Sequence, residues 1–304
     1  MADPGPPIDA PWPRKASAVF LMAEPSDALW SAILELIAAP GDRTFAWRSS
    51  TGKASLHRDV GALPELAGPW PDSDQQAFRL FKPLLGSGRL VVAQLGQSLD
   101  GRIATASGDS YYINGPAMRA HLHRLRALVD AVVVGAGTAA ADQPSLTVRH
   151  CPGVSPVPVI IDPSARVAPE GPLFDPEHTP RLIIATAIRR CARDWPAHVE
   201  CLRLSPEPGA SGQGLATPTL LDALAERGLG RVLIEGGGVT VSRFIDDHSL
   251  DRLHLLIAPL LIGSGPSGLN LRPIKRLREA GRVAMRSYPL GDELVVDVDL
   301  RAAD

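Results

Sequence analysis

Five short apolar runs, "LVVAQLG", "AVVVGAG", "VPVIID", "RLIIAT" and "RVLIEGGG", recur from residue 90 onward, with helical patterns between several of them. Runs this short, rich in valine and isoleucine, suit strands buried on both faces. "PAMRAHLHRLRALVD" repeats Met118, Leu122, Leu125 and Val129 at helical spacing. "TPTLLDALAERGLG" reads as a helix with Thr217 as its cap, Pro218 in the first turn and Gly228 at its end, and "VTVSRFIDDH" follows the glycines as another helix. Strands alternating with helices predict an α/β fold with a mostly parallel sheet covered on both faces. "RLHLLIAPLLIG" is a further strand, and "RVAMRSYPLGDELVVDVDL" predicts a closing antiparallel hairpin across Leu290-Gly291-Asp292.

The residues before 88 read differently, as a small α+β extension of unassigned role. The first fifteen are proline-rich and expected to be flexible. "PSDALWSAILELIAAPG" predicts a helix capped by Ser26, with Leu29, Ile33, Leu36 and Ile37 on one face. "RTFAWRSSTGKASLHR" predicts a hairpin, and "PELAGPWPDSD" a linker leading to a second domain over 88–304. The 304 residues carry a net charge of −2, which gives no general attraction to nucleic acid or anionic membranes. No apolar run is long enough to span a bilayer, and the N-terminal stretch is not patterned as a secretion signal. Three scattered cysteines, Cys151, Cys191 and Cys201, argue against a disulfide framework or a cysteine-rich zinc site, so a reducing cytoplasm is expected.

Two strand ends are glycine-rich. Gly135, Gly137 and Ala140 match the spacing of a dinucleotide fingerprint, but polar residues and Pro144 follow too soon for a full crossover helix. Tight packing explains that match equally well. Gly236 to Gly238 open a helix whose first N–H groups could meet a phosphate, or serve merely as a turn. The Lys-Ser/Thr of a P-loop is missing, which argues against nucleotide triphosphate hydrolysis. Arg119, His123 and Arg126 share a helix face, either solvated or turned towards an anion. His121 reads as structural or superficial, and Asp100 as a turn residue. Glu235, at the end of a buried strand, must be paired or line a cavity. "SLDGRIATASGDSYYING" is so poor in bulky aliphatics that it is expected to line a cleft.

The blocks "SLDGRIATASGDS", "HRLRALVDAVVVGAGT", "ADQPSLTVR", "VLIEGGG" and "LDRLHLLIAPLLIG", in this order, resemble the reductase domain of the riboflavin-biosynthesis deaminase/reductase, the RibD C-terminal domain. The resemblance covers about residues 88 to 300 and implies a dihydrofolate-reductase-like fold. It implies that NADPH reduces the ribosyl group of 5-amino-6-(5-phosphoribosylamino)uracil to ribityl. Carried over by position, Ser110, Arg126, Leu146, Arg149, Glu235 and Gln94 would meet substrate, with Glu235 at the reacting sugar. Gly96, Tyr112, Thr138, Asp142, Gly237, Gly238, Val239 and Thr240 would meet NADPH. Ser164 and Arg166 would hold its 2′-phosphate. A homodimer is implied too, with the apolar "LHLLIAPLLIG" edge as support.

Three positions depart from the family pattern: Gln94 replaces a common lysine, Gln143 the second aspartate of "DDP", and Tyr112 a common tryptophan. Nothing resembles the H-x-E and P-C-x-x-C of a deaminase, so no deaminase activity is expected. Two other readings stand beside the main one: a reductase of another pterin or pyrimidine, and a nucleotide-binding module without catalysis.

Overall fold

The computed structural model describes residues 24–38, 43–49, 52–59, 61–111, 113–187, 195–206 and 214–301. The proline-rich start and Tyr112 lie outside these residues. The chain begins with α1 (Asp27–Ala38), the hairpin β1 (Arg43–Ser49) and β2 (Gly52–Arg58), then β3 (Glu65–Ala67) and α2 (Asp72–Phe81). β2 pairs antiparallel with both β1 and β3. The Ser26 hydroxyl caps α1 by accepting from the Leu29 N–H at 3.2 Å.

The expected linker is therefore structured. β3 covers three residues between prolines and glycine, too few to show a period, and α2 opens on the polar "DSDQQ". Asp74 in that run is buried because its two oxygens accept from the Ser26 N–H and hydroxyl, at 2.7 and 2.8 Å.

A second sheet contains β4 (Leu90–Ser98), β5 (Ala131–Gly135), β6 (Val157–Ile161), β7 (Leu182–Thr186), β8 (Val199–Arg203), β9 (Arg231–Glu235), β10 (Arg252–Ala258), β11 (Ala284–Leu290) and β12 (Glu293–Asp299). Its order is β11-β12-β10-β4-β9-β5-β6-β7-β8, and every pairing from β10 to β8 is parallel. β12 runs antiparallel to β10 and to β11, as the closing hairpin requires.

Helices α3 (Pro116–Ala127), α4 (Ala136–Asp142), α5 (Thr217–Ala225) and α6 (Gly238–Asp246) connect the strands. Side chains alternate across the sheet, as a pleat demands. Val92, Val132 and Val134 join Leu29, Trp30, Ile33 and Leu36 of α1 and Leu125 of α3 on one face. Val91, Ala93, Ala131 and Val133 join Leu220 and Leu224 of α5 and Phe244 of α6 on the other. The N-terminal residues thus share a core with the large sheet.

Three local expectations need correction. Ala216, not Thr217, caps α5; the Thr217 hydroxyl instead lies 3.0 Å from Asp247 and 2.8 Å from Ser249. β8 escaped the pattern because it is a half-exposed edge strand with little apolar contrast. "LHLLIAPLLIG" is no edge, since β10 sits between β4 and β12; of its leucines and isoleucines only Leu260 and Leu261, beyond the strand's end, are exposed. Among the described residues, no helix is long and apolar enough to cross a membrane.

Candidate active site

The two glycine junctions, β5–α4 and β9–α6, interlock at one rim of the sheet. A Cβ on Gly135 would fall 2.6 Å from the Thr240 hydroxyl, and one on Gly238 only 1.9 Å from the Gly268 carbonyl oxygen. The Gly237 N–H donates to the Thr138 hydroxyl at 3.3 Å, and Gly236 holds φ +125 beside it. Thr138, Gly237, Gly238 and Thr240 are therefore brought together. Gly137 faces open space, and Val239 is exposed at the start of α6, whose first N–H groups have no acceptor within the helix. α4 does form, but lasts seven residues and ends where Gln143 turns left-handed at φ 41.

Beside this cradle lies a row of polar side chains. Gln94 of β4 is in register with Glu235 of β9 on one side and with His254 of β10 on the other. Neighbours in register project to the same face of the sheet. Arg126, reaching over from α3, donates from Nε and Nη2 to the two Glu235 oxygens, both at 2.7 Å, and from Nη1 to the Thr147 carbonyl at 2.9 Å. Both side chains are more than nine-tenths buried. Burial works against the Arg126 charge, but Glu235 outweighs it and raises the pKa.

Of the two anions open to Arg126, the structure shows the protein carboxylate: its guanidinium is committed to Glu235 and a main-chain carbonyl, and so holds Glu235 and the loop after α4 in place. Gln94 is buried too, and its Oε1 has no hydrogen-bond partner.

The loop after α4 carries Leu146 and Arg149. Leu146 adopts φ 52, unusual for a residue with a Cβ, and its side chain is buried in the core. The side chain anchors the loop in the core. Arg149 is exposed and bonded to the Ser145 hydroxyl, and its N–H donates to His123 Nδ1 at 2.9 Å. Burial first, then Arg126, pushes the His123 pKa down to about 4, so its ring is neutral and can accept that bond near neutrality. The basic face of α3 is thus split: Arg119 is exposed, His123 and Arg126 are buried.

Gly96, Ser110 and Asp142 line one hollow of about 460 Å³ with Asn114 and Arg119. Arg149 lines a neighbouring hollow of about 610 Å³ with Gln143, so the end of α4 forms the wall between the two. Asn114 went unnoticed in the sequence, because its role is tertiary. Its Oδ1 would lie 1.9 Å from a Cβ on Gly96, and its Nδ2 donates to Glu293 at 2.8 Å. Glu293 also accepts from the Gly115 N–H at 2.9 Å, and burial pushes its pKa up. The cleft-lining stretch is thereby pinned to the closing hairpin.

Asp100 does more than close a turn: it accepts from the Ser98 hydroxyl and the Ile262 and Gly263 N–H groups, which hold its pKa at about 2. Ser164 and Arg166 are exposed after β6, outside both hollows. His121 is structural, buried and 2.9 Å from His254.

Comparison with known proteins now adds a decisive observation: residues 89–286 match the RibD C-terminal domain family. The chain belongs to that family. It is 31% identical over 218 residues to the 2,5-diamino-6-ribosylamino-4(3H)-pyrimidinone 5′-phosphate reductase of Methanothermobacter thermautotrophicus, spanning 69% of this chain and 98% of that protein. It is 30% identical over 209 residues to the riboflavin biosynthesis protein RibD of Aquifex aeolicus, spanning 68% of this chain and 56% of RibD. The chain spans about half the length of the RibD relatives it matches. Among solved structures, the Thermotoga maritima deaminase/reductase superposes with a TM-score of 0.60 at 24% identity, over 74% of this chain and 62% of that one. RibD of Acinetobacter baumannii gives 0.59 at 25% identity, over 75% and 63%. The large sheet is thus that of a RibD reductase domain, dihydrofolate-reductase-like in architecture.

Proposed function

We propose that the chain is a reductase of riboflavin biosynthesis that converts the ribosyl group of a phosphorylated ribosylaminopyrimidine to ribityl, with NADPH as reductant. The observation that carries this reading is a buried Glu235–Arg126 pair beside an open glycine cradle, with Arg126 also holding the loop that carries Arg149. The cradle fits a dinucleotide. Gly137 leaves room that a side chain would fill, and the start of α6 presents N–H groups and a positive dipole end to a diphosphate. Gly96, Asp142 and Thr138 would flank it, and a 2′-phosphate reaching the exposed Ser164 and Arg166 beyond the hollows would favour NADPH over NADH.

NADPH bound there would supply a hydride for C1 of the ring-opened sugar imine, the nitrogen taking its proton from water. The chain's residues do the positioning, the larger part of catalysis when the cofactor carries the chemistry. Arg149 holds the substrate phosphate through charge-assisted bonds. Glu235, held in place by the two-pronged Arg126 contact, accepts hydrogen bonds from ribose hydroxyls and fixes C1. Ser110 closes the cleft from the other side. The reading includes no deaminase activity, a cytoplasmic location and a homodimer. The exposed apolar side chains Leu271, Ile274, Leu277 and Met285 near edge strand β11 replace β10 as support for that dimer.

A specific observation favours one ring over the other. The lone buried acceptor Gln94 Oε1 suits an exocyclic amine of the 2,5-diaminopyrimidinone better than the carbonyl of the uracil. The test incubates the protein with NADPH and each pyrimidine in turn, following absorbance of the reduced nicotinamide. Turnover of either ribosylaminopyrimidine phosphate supports the assignment, with the diamino ring preferred. Oxidation with a dihydropterin alone would replace it by the pterin-reductase reading, and cofactor binding without any turnover by the binding module.

A further inference from the structure

Far from the glycine cradle, the closing hairpin and the N-terminal residues enclose a hollow of about 490 Å³. Leu63, Arg79, Lys82 and Pro83 form one wall, and all four precede residue 89, where the family match begins. The opposite wall carries Arg252, Arg286 and Arg301, with Asp297 and Asp299 as the carboxylates of the lining. Cations therefore outnumber carboxylates by five to two in this lining.

Both carboxylates are already committed. Asp297 takes Nε and Nη2 of Arg252 at 2.9 and 2.8 Å, and Asp299 takes its Nη1 at 2.7 Å and Arg301 Nε at 3.2 Å. Lys82 pairs with Glu65, which lies outside the hollow. Arg79 and Arg286 are left, one on each wall, with no ion pair among the described residues.

Tyr288 ties these two walls together: it stands two residues from Arg286 on β11, and its hydroxyl donates to the Arg79 carbonyl at 3.3 Å. A neutral phenol orders the pair without neutralising it. Two guanidiniums lining one concavity add to its positive potential, and guanidinium forks match phosphate oxygens bidentately. We propose that this hollow is a second anion site, for a phosphorylated small molecule, distinct from the substrate position at Arg149. One wall of it, four of the eleven lining residues, is built by the N-terminal residues, which gives that part of the chain a ligand-binding role.

The test measures binding of inorganic pyrophosphate to the full chain by calorimetry, in wild type, Arg149→Ala, Arg79→Ala and Arg286→Gln. Binding should persist in Arg149→Ala and weaken at least about tenfold in Arg79→Ala and in Arg286→Gln, as loss of a charge-assisted bond implies. Both altered side chains are exposed, so folding is retained, and thermal melts check that. Turnover of the pyrimidine substrate without pyrophosphate should not change in either variant. Binding that vanishes in Arg149→Ala, or that survives unchanged in both hollow variants, overturns the proposal. Failure of the reductase reading alone would leave the Arg79 and Arg286 effects in place.

Discussion

Glu235 and Arg126 define each other at the residue scale. Removing one charge of a buried pair leaves the other uncompensated, a loss of about 3–5 kcal/mol when the partner is deleted outright. Glu235→Gln keeps the shape and one acceptor, so the expected outcome is lower turnover, a lower melting temperature and unchanged NADPH affinity; unchanged turnover would remove Glu235 from the site. Arg149 is exposed, so Arg149→Ala should leave the melting temperature alone and raise KM for the phosphorylated substrate about ten- to a hundred-fold. Gly96→Ala tests the contact with Asn114, which must move to admit a methyl group. A loss of about 1–3 kcal/mol is expected in denaturant titration, with weaker binding in the adjoining hollow. The need for a side chain at Glu235 was legible in the sequence, since a carboxylate closing a buried strand requires a partner. Which partner was not legible, because Arg126 is 109 residues away.

Elements add two further expectations. α1 and α2 meet through Ser26 and Asp74, so Ser26→Ala removes both a cap and one of the two donors to the buried Asp74, a loss of about 1–2 kcal/mol measurable by urea titration. α3 carries His121 and His123, both held well below the usual histidine range, by burial first and then by His254 or Arg126 respectively. A depressed histidine pKa means that the unfolded chain binds the extra proton, so this stability is full above about 6.5 and lost as pH falls towards about 4. Melting temperature should therefore drop across that window, and less steeply in His123→Asn. Long periodic elements were readable: α1, α3, β4, β5 and β9 follow their apolar spacing. Short or edge elements such as β3 and β8 were not, since three to five half-exposed residues hold too little pattern. The glycine junctions announced a close approach, but only the fold shows that they approach each other.

For the whole molecule, the division near residue 88 coincides with the start of the family match but not with a boundary in the core. Leu29, Trp30, Ile33 and Leu36 pack against the large sheet's own core, at about 1.5–3 kcal/mol each. Four such side chains approach the whole net stability of a domain, about 5–15 kcal/mol. A chain truncated to begin at residue 88 is expected to be insoluble or unfolded; a soluble, cooperatively melting fragment would show that the reductase fold stands alone. Light scattering checks the dimer, which a monomeric mass would refute.

The central claim is that this rim delivers hydride to C1 of a phosphorylated sugar. It is tested most directly with NADPH deuterated at the transferable position and the diaminopyrimidinone or uracil substrate, with mass analysis of the product. The account predicts one deuterium at C1 of a ribityl product, formed far more slowly by Glu235→Gln. A folded, NADPH-binding protein that yields no labelled ribityl product from either pyrimidine would contradict it.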